Sequence, residues 1–215
     1  MTAQNASTTP VELFVASEAH AAIHAAASEA VRALVGEQLI ATIAFRGETT
    51  LVVERERIRD ILVLLREDVG LRFDRLADLT AIDYLDAPNL IGAQHQNRFA
   101  VVYHLMGRGT LARLRVRAMV PEDDPWIASV TDLFPMANWP EREVFDLMGI
   151  TFAGHPDLKR ILLPDDWDGN PLRKDYPIGA EEVQFSFNEA EIAAQYPQTL
   201  EEREDRYFVP HPLNN

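Results

Sequence analysis

A change in the character of the chain near Phe152 constrains its fold more than any other feature. Before it, apolar residues recur with a helical or a strand period in almost every segment. Beyond it, seven of the thirteen prolines crowd into the last 63 residues. There only residues 183–187 alternate, and only residues 188–196 have the makings of a short helix. The layout read from this break is a flexible N-terminus over 1–10, an α+β domain over 11–153 and a long extended tail over 154–215. The domain is expected to hold a mixed or antiparallel sheet with helices packed on it. A run of that length without regular structure is unusual inside a compact domain, and points to a functional or partner-bound segment.

Within the domain each element has its own signal. Ser17 is a fitting N-cap for a helix in which Ile23, Ala27, Val31 and Leu34 recur at helical spacing and Gly36 is the stop. Residues 38–54 predict a hairpin turning at Gly47-Glu48, with Leu39, Ala41, Ile43 and Phe45 on one face. Ile58, Ile61, Leu62 and Leu65 mark a second helix that Gly70 closes. Residues 72–86 read as a strand with irregular ends, and residues 98–120 as a second hairpin turning at Gly107-Arg108-Gly109. Asp124, with Pro125 behind it, predicts a short helix over 126–134. The segment "NWPEREVFDLMG" is the best-specified helix. Asn138 and Glu141 stand in capping-box spacing, Val144, Leu147 and Met148 share a face, and Gly149 ends it.

Composition removes several function classes. The chain carries 34 acids against 20 bases, a net charge of −14, which argues against a nucleic-acid binder. The absence of cysteine excludes disulfides, thiolate metal sites and a cysteine nucleophile from this chain. The opening residues lack the basic and apolar regions of a secretory leader, and no apolar run approaches the ~20 residues of a membrane span. Neither a phosphate-binding glycine loop nor a nucleophile elbow is present.

The remaining candidates are weak as chemistry. His20 and His24 have the spacing of two zinc ligands on a helix, but Ala21 stands where a metalloprotease needs glutamate, so they read as a structural pair. The run from Asp165 fails as a calcium loop in both registers. Counting from Asp166 puts Pro171 and Pro177 at the required glycine and glutamate, and counting from Asp165 puts Trp167 and Tyr176 at ligand positions. Glu141, Glu143 and Asp146 read as acids gathered at a helix start, with Arg142 spaced to pair with Asp146. Arg113, Arg115 and Arg117 alternate along a strand and form a basic stripe, either solvated or docked on an acidic partner.

From Asn138 the chain reads "NWPEREVFDLMGITFAGHPDLKRILLPDDWDGNPLRKDYP". This resembles the signature segment of the C subunit family of the proton-pumping NADH:quinone oxidoreductase, respiratory complex I. The matching positions are Glu141, Arg142, Glu143, Asp146, Leu147, Met148, His155, Lys159, Ile161 and Leu162. The resemblance implies a component of the peripheral arm, at the cytoplasmic face of the inner membrane and without direct membrane insertion. It implies docking against the quinone-site D subunit and neighbouring iron–sulfur subunits. It implies no cofactor in this chain, while the complex uses FMN, iron–sulfur clusters, NADH and quinone. The interface residues it suggests are Glu141, Arg142, Glu143, Asp146, His155, Pro156, Lys159, Arg160, Pro164, Trp167, Arg173, Lys174, Asp175 and Tyr176. Two alternatives stand beside it: the equivalent subunit of a membrane-bound hydrogenase, and a metal-dependent hydrolase using His155, Asp157 and the acids at 165–168.

In this reading Pro164, Pro171 and Pro177 hold the strap from Lys159 to Pro177 extended. Trp167 and the Ile161-Leu162-Leu163 run are its apolar anchors, and its charges orient it.

Overall fold

The computed structural model describes residues 18–85 and 97–177. Ser17, residues 1–10 and the tail beyond Pro177 lie outside the described residues. The elements are α1 (Glu18–Val35), β1 (Leu39–Phe45), β2 (Glu48–Glu54), α2 (Ile58–Glu67), β3 (Arg75–Asp83), β4 (Phe99–Met106), β5 (Arg113–Val120), β6 (Trp126–Ala128), α3 (Asn138–Met148) and β7 (Thr151–Ala153). Five strands form a mixed sheet in the order β1-β2-β5-β4-β3, with β2 and β5 parallel and the other neighbours antiparallel. A small parallel pair, β6 with β7, stands apart from it. The α+β architecture with a mixed sheet is therefore as the periodicity implies.

Period-two alternation puts one side of each strand against the helices. Leu51, Val101, Tyr103, Leu114 and Val116 from the sheet meet Ala27 and Val31 of α1, Ile61 and Leu65 of α2, and Val144 and Met148 of α3 in the main core. The opposite face carries a smaller cluster of Val52, Tyr84, Ala100 and Met119 at one end and the arginines of β5 at the other.

Several local expectations are corrected. Residues 126–134 do not form a helix: Trp126, Ile127 and Ala128 pair with Thr151, Phe152 and Ala153 of β7, and Ser129 N–H donates to Ala153 O. Asp124 instead accepts from Arg55 and from the Trp126 indole. The short stretch contains β-branched residues, and tertiary pairing outweighs its weak helical signal. The face assignment on β1 also fails. A bulge between Leu39 and Ala41 sends Leu39 into the main core and turns Ala41 and Ile43 to the smaller cluster, leaving Phe45 exposed. The first hairpin turns one residue earlier than expected, at Arg46-Gly47, both with positive φ. Leu34 is exposed, and Val35 takes its place in the core.

Candidate functional site

The signature helix α3 begins without a side-chain cap. The preceding 3-10 turn, Pro135–Ala137, runs straight into it, and Pro135 O accepts the Asn138 N–H. The capping box is therefore not formed, because the donor that Glu141 would have reached back to is already satisfied. Glu141 is fully buried instead. Its Oε2 accepts the Ser129 hydroxyl at 2.6 Å and its Oε1 the Val130 N–H at 2.8 Å, which fixes the chain after β6 beneath the helix. Burial raises its pKa to about 7, against the opposing effect of those two hydrogen bonds.

Asp146 is also buried, and it does not pair with Arg142. Its Oδ2 accepts three consecutive backbone N–H groups, those of Ile161, Leu162 and Leu163, at 3.0, 2.8 and 2.9 Å. The Arg160 guanidinium lies 3.4 Å from its other oxygen. Burial alone would push this carboxyl up, but the three N–H donors and Arg160 together hold it below the usual carboxylate range. Arg142 turns to the strap as well, donating to Lys159 O at 3.0 Å and Arg160 O at 2.9 Å. The i,i+4 spacing on the helix is thus spent on two separate grips on one passing chain. Glu143, between them, is exposed.

The strap continues along the end of α3. Asn170 donates to Asp146 O, Leu172 N–H to Leu147 O and Arg173 Nε to Met148 O, so three successive orphan carbonyls at the helix end are satisfied by strap residues. Gly149 closes the helix at φ 70°, and a Cβ there would stand 2.5 Å from Asn170 Oδ1. The residue must therefore be glycine both for its backbone and for the closeness of the strap.

A second lock holds the far end. Arg98 and Asp83 form a buried bidentate pair, at 3.0 and 2.7 Å. Arg98 also binds Asp175 of the strap and Glu122. Asp83 in turn accepts the Lys174 N–H at 2.9 Å, and Lys174 Nζ donates to Leu85 O. Burial opposes ionisation of Asp83, yet Arg98 and the N–H groups of Lys174 and Leu85 hold its pKa down at about 2. Arg173 and Arg98 both lie over the ring of Phe99, at 5.0 and 4.8 Å. Sequence reasoning does not reach Arg98 and Asp83. The only hint is a charge standing directly before the apolar run of β4.

Other signature positions are brackets. His155 Nδ1 accepts the Asp157 N–H, which leaves the proton on Nε2 to be donated to Asn138 O at 3.1 Å. Asp157 pairs with Lys159. The ring thus ties the chain after β7 to the start of α3, and the hydrolase alternative loses the ligand it began from. Among the described residues no group of three or more His, Asp or Glu side chains comes together as a metal site. Trp167 is half-buried, with its carbonyl on Arg160, and the Tyr176 ring covers Gly169. Pro156 and Pro164 are exposed. His20 Nε2 donates to Thr110 O, and His24 is buried against the sheet side of α1, so the pair is not convergent on a common ligand.

The basic stripe lies on the sheet face opposite the helices. Arg115 is engaged by Glu48 at 2.8 Å and Thr50 at 3.2 Å, Arg117 lies 5.7 Å from the Tyr84 ring, and Arg113 is exposed. The three therefore share a face without sharing an environment.

Residues 51–182 match the family model described as the respiratory-chain NADH dehydrogenase, 30 Kd subunit. That span runs from the middle of β2 through β7 and takes in α2, α3 and the whole strap. The chain belongs to this family. The C subunit of the NADH-quinone oxidoreductase of Roseiflexus sp. (strain RS-1) is 44% identical over 169 residues, covering 79% of this chain and 92% of that protein. The corresponding C subunit of Thiobacillus denitrificans (strain ATCC 25259 / T1) is 41% identical over 180 residues, 83% of this chain and 88% of its own length. A trypsin-resistant fragment (1-134) of Nqo5 superposes with a TM-score of 0.52 at 37% identity, over 61% of this chain and 99% of the fragment. A chain of the membrane-bound sulfane sulfur reductase, an archaeal respiratory membrane complex, shares the fold with a TM-score of 0.54 at 21% identity, over 79% of this chain and 90% of that one. The family is that of the C subunit of complex I, a membrane-associated NADH-quinone oxidoreductase. No helix among the described residues is long and apolar enough to cross a membrane.

Proposed function

We propose that this chain is a non-catalytic docking component of the peripheral arm of the proton-pumping NADH:quinone oxidoreductase. It sits against the quinone-site D subunit, beside neighbouring iron–sulfur subunits, at the cytoplasmic face of the membrane. The complex passes electrons from NADH through FMN and iron–sulfur clusters to quinone and couples this to proton translocation. This chain supplies none of the redox groups: without cysteine it offers no thiolate to a cluster.

The observation that carries the reading is the grip of Asp146 and Arg142 on residues 159–163. The signature spends its charges on holding an irregular strap rigidly on a helix. A strap fixed in advance costs less ordering entropy when a partner covers it, which suits a docking element. Nothing in that arrangement offers a base and a nucleophile in reach of one another.

Removing the gene for this chain and restoring it on a plasmid tests the reading. NADH:quinone activity of the membranes should vanish and return, and the quinone-site D subunit should copurify with a tag on the restored chain. Full activity in membranes that lack the chain would refute it.

A further inference from the structure

Eight large apolar side chains are exposed among the described residues, and four of them gather on α3, the turn before it and the strap. These are Met136, Trp139, Leu162 and Leu172, between 44% and 63% exposed. The last three are tied to one helix. Arg142 lies 5.3 Å over the Trp139 ring while it holds the carbonyls of Lys159 and Arg160. Leu162 hangs from Asp146, and Leu172 N–H donates to Leu147 O at 3.0 Å. The result is an apolar ridge along the helix, with Trp139 and Leu162 set on the charged groups of Arg142 and Asp146 and Leu172 on a backbone carbonyl at the helix end.

The charges around this ridge are sorted by sign. Arg142, Arg160 and Arg173 are turned inward onto carbonyls and the Asp146 carboxylate. Lys159 is matched by Asp157, and the exposed Lys174 Nζ, away at the Asp83 end of the strap, donates to Leu85 O. Glu143, Asp165, Asp166 and Asp168 are exposed, and their carboxylates form no ion pair with any described residue. The rim of the ridge is therefore acidic although the segment itself is rich in bases.

We infer that the α3–strap face docks a protein surface that is apolar at its centre and rich in lysine and arginine around it. This rests on the docking role proposed above and gives that docking its chemistry. An apolar centre with a charged rim is the usual anatomy of a specific interface. A second copy of the chain would set acid against acid, and an anionic lipid surface would be repelled by the same rim. A different, basic-rimmed protein satisfies both parts of the face.

The test uses the whole complex, isolated through a tag on another of its components, from cells carrying variants of this chain. Trp139→Ala and the pair Leu162→Ser with Leu172→Ser should each lower recovery of the chain at least about tenfold. Reversing the rim (Glu143→Lys, Asp165→Lys, Asp166→Lys, Asp168→Lys) should slow assembly and flatten its dependence on salt. Val69→Ser, an exposed apolar residue elsewhere, should change nothing. A photoreactive residue at Leu162 should cross-link to one other protein of the complex, at a segment bearing Lys or Arg. Thermal melting of each isolated variant separates lost docking from lost folding, and the rim variants, all at exposed positions, keep the test available should the apolar ones unfold. Normal recovery of folded ridge and rim variants would overturn the inference while leaving the docking role intact, as would cross-linking to lipid or to a second copy. Failure to recover even the unaltered chain with the complex would remove the docking role itself.

Discussion

Asp146 Oδ2 accepts the Leu162 N–H at 2.8 Å, joining the last turn of α3 to the start of the strap. The same oxygen takes the two flanking N–H groups, so one buried carboxylate shapes three residues of irregular chain. Asp146→Ala would strip three donors of their acceptor at once. Hydrogen bonds to a charged group contribute more than neutral ones, and a loss of about 2–3 kcal/mol in chemical unfolding is expected on that basis. Proteolysis at residues 159–170 should quicken in parallel. A variant as stable and as resistant as the original would show that the carboxylate does not hold the strap.

Asp83 sets an acid limit. Its pKa lies near 2 in the folded chain against an ordinary value of 3.8, so the folded state binds this proton later than the unfolded state does. The stability from this group is complete above about pH 4 and drains away as pH falls towards 2. The linkage amounts to about 2 kcal/mol. Asp83→Asn should flatten that part of the stability profile and free the Asp175 end of the strap. An unchanged slope between pH 4 and 2 would contradict the lock with Arg98.

Glu141 works in the opposite sense. Its folded pKa is raised from 4.5 to about 7, so the folded state holds a proton that the unfolded state has released. Its favourable contribution is complete below about pH 4.5 and is lost as pH rises to about 7. Glu141→Gln keeps an acceptor for Val130 and supplies a donor for Ser129, without a charge to bury. The variant should gain on the order of 3 kcal/mol at pH 8 and little at pH 4. Equal effects at both values would mean that burial does not raise the pKa of this carboxyl.

Gly149 is tested more simply. Gly149→Ala meets both an unfavourable φ of 70° and the Asn170 side chain, and should destabilise by about 1–3 kcal/mol. Thermal melting that stays level would mean the strap is not seated on the helix end.

Of the basic stripe, Arg113 is left to meet a partner, since Arg115 is paired with Glu48 and Arg117 packs beside Tyr84. Arg113→Glu should leave melting unchanged and slow association with the complex if an acidic partner meets that face. Unaltered assembly would return the stripe to solvent.

Much of the fold is legible because periodicity reports burial directly. The faces of α2 and of β5 follow from spacing alone. What misleads is local chemistry read without its tertiary partners. Asn138 and Glu141 have capping-box spacing, but the preceding 3-10 turn supplies the missing acceptor and releases Glu141 to the interior. Arg142 and Asp146 have ion-pair spacing, yet a strap arriving from residues 159–163 offers each a better partner. Arg98 and Asp83 give almost no signal, since their third partner, Asp175, lies far along the chain. The strap is legible as a segment that lies on something. That it lies first on its own helix is visible only once the chain is folded.

Amide hydrogen exchange of the isolated chain decides whether the strap is preformed. If Asp146 holds it before any partner arrives, the amides of Ile161, Leu162 and Leu163 exchange slowly in the free protein, and Asp146→Ala brings all three to the rate of exposed loop. Fast exchange at these amides in the unaltered free chain would contradict that, and would mean that the strap is shaped only by its partner.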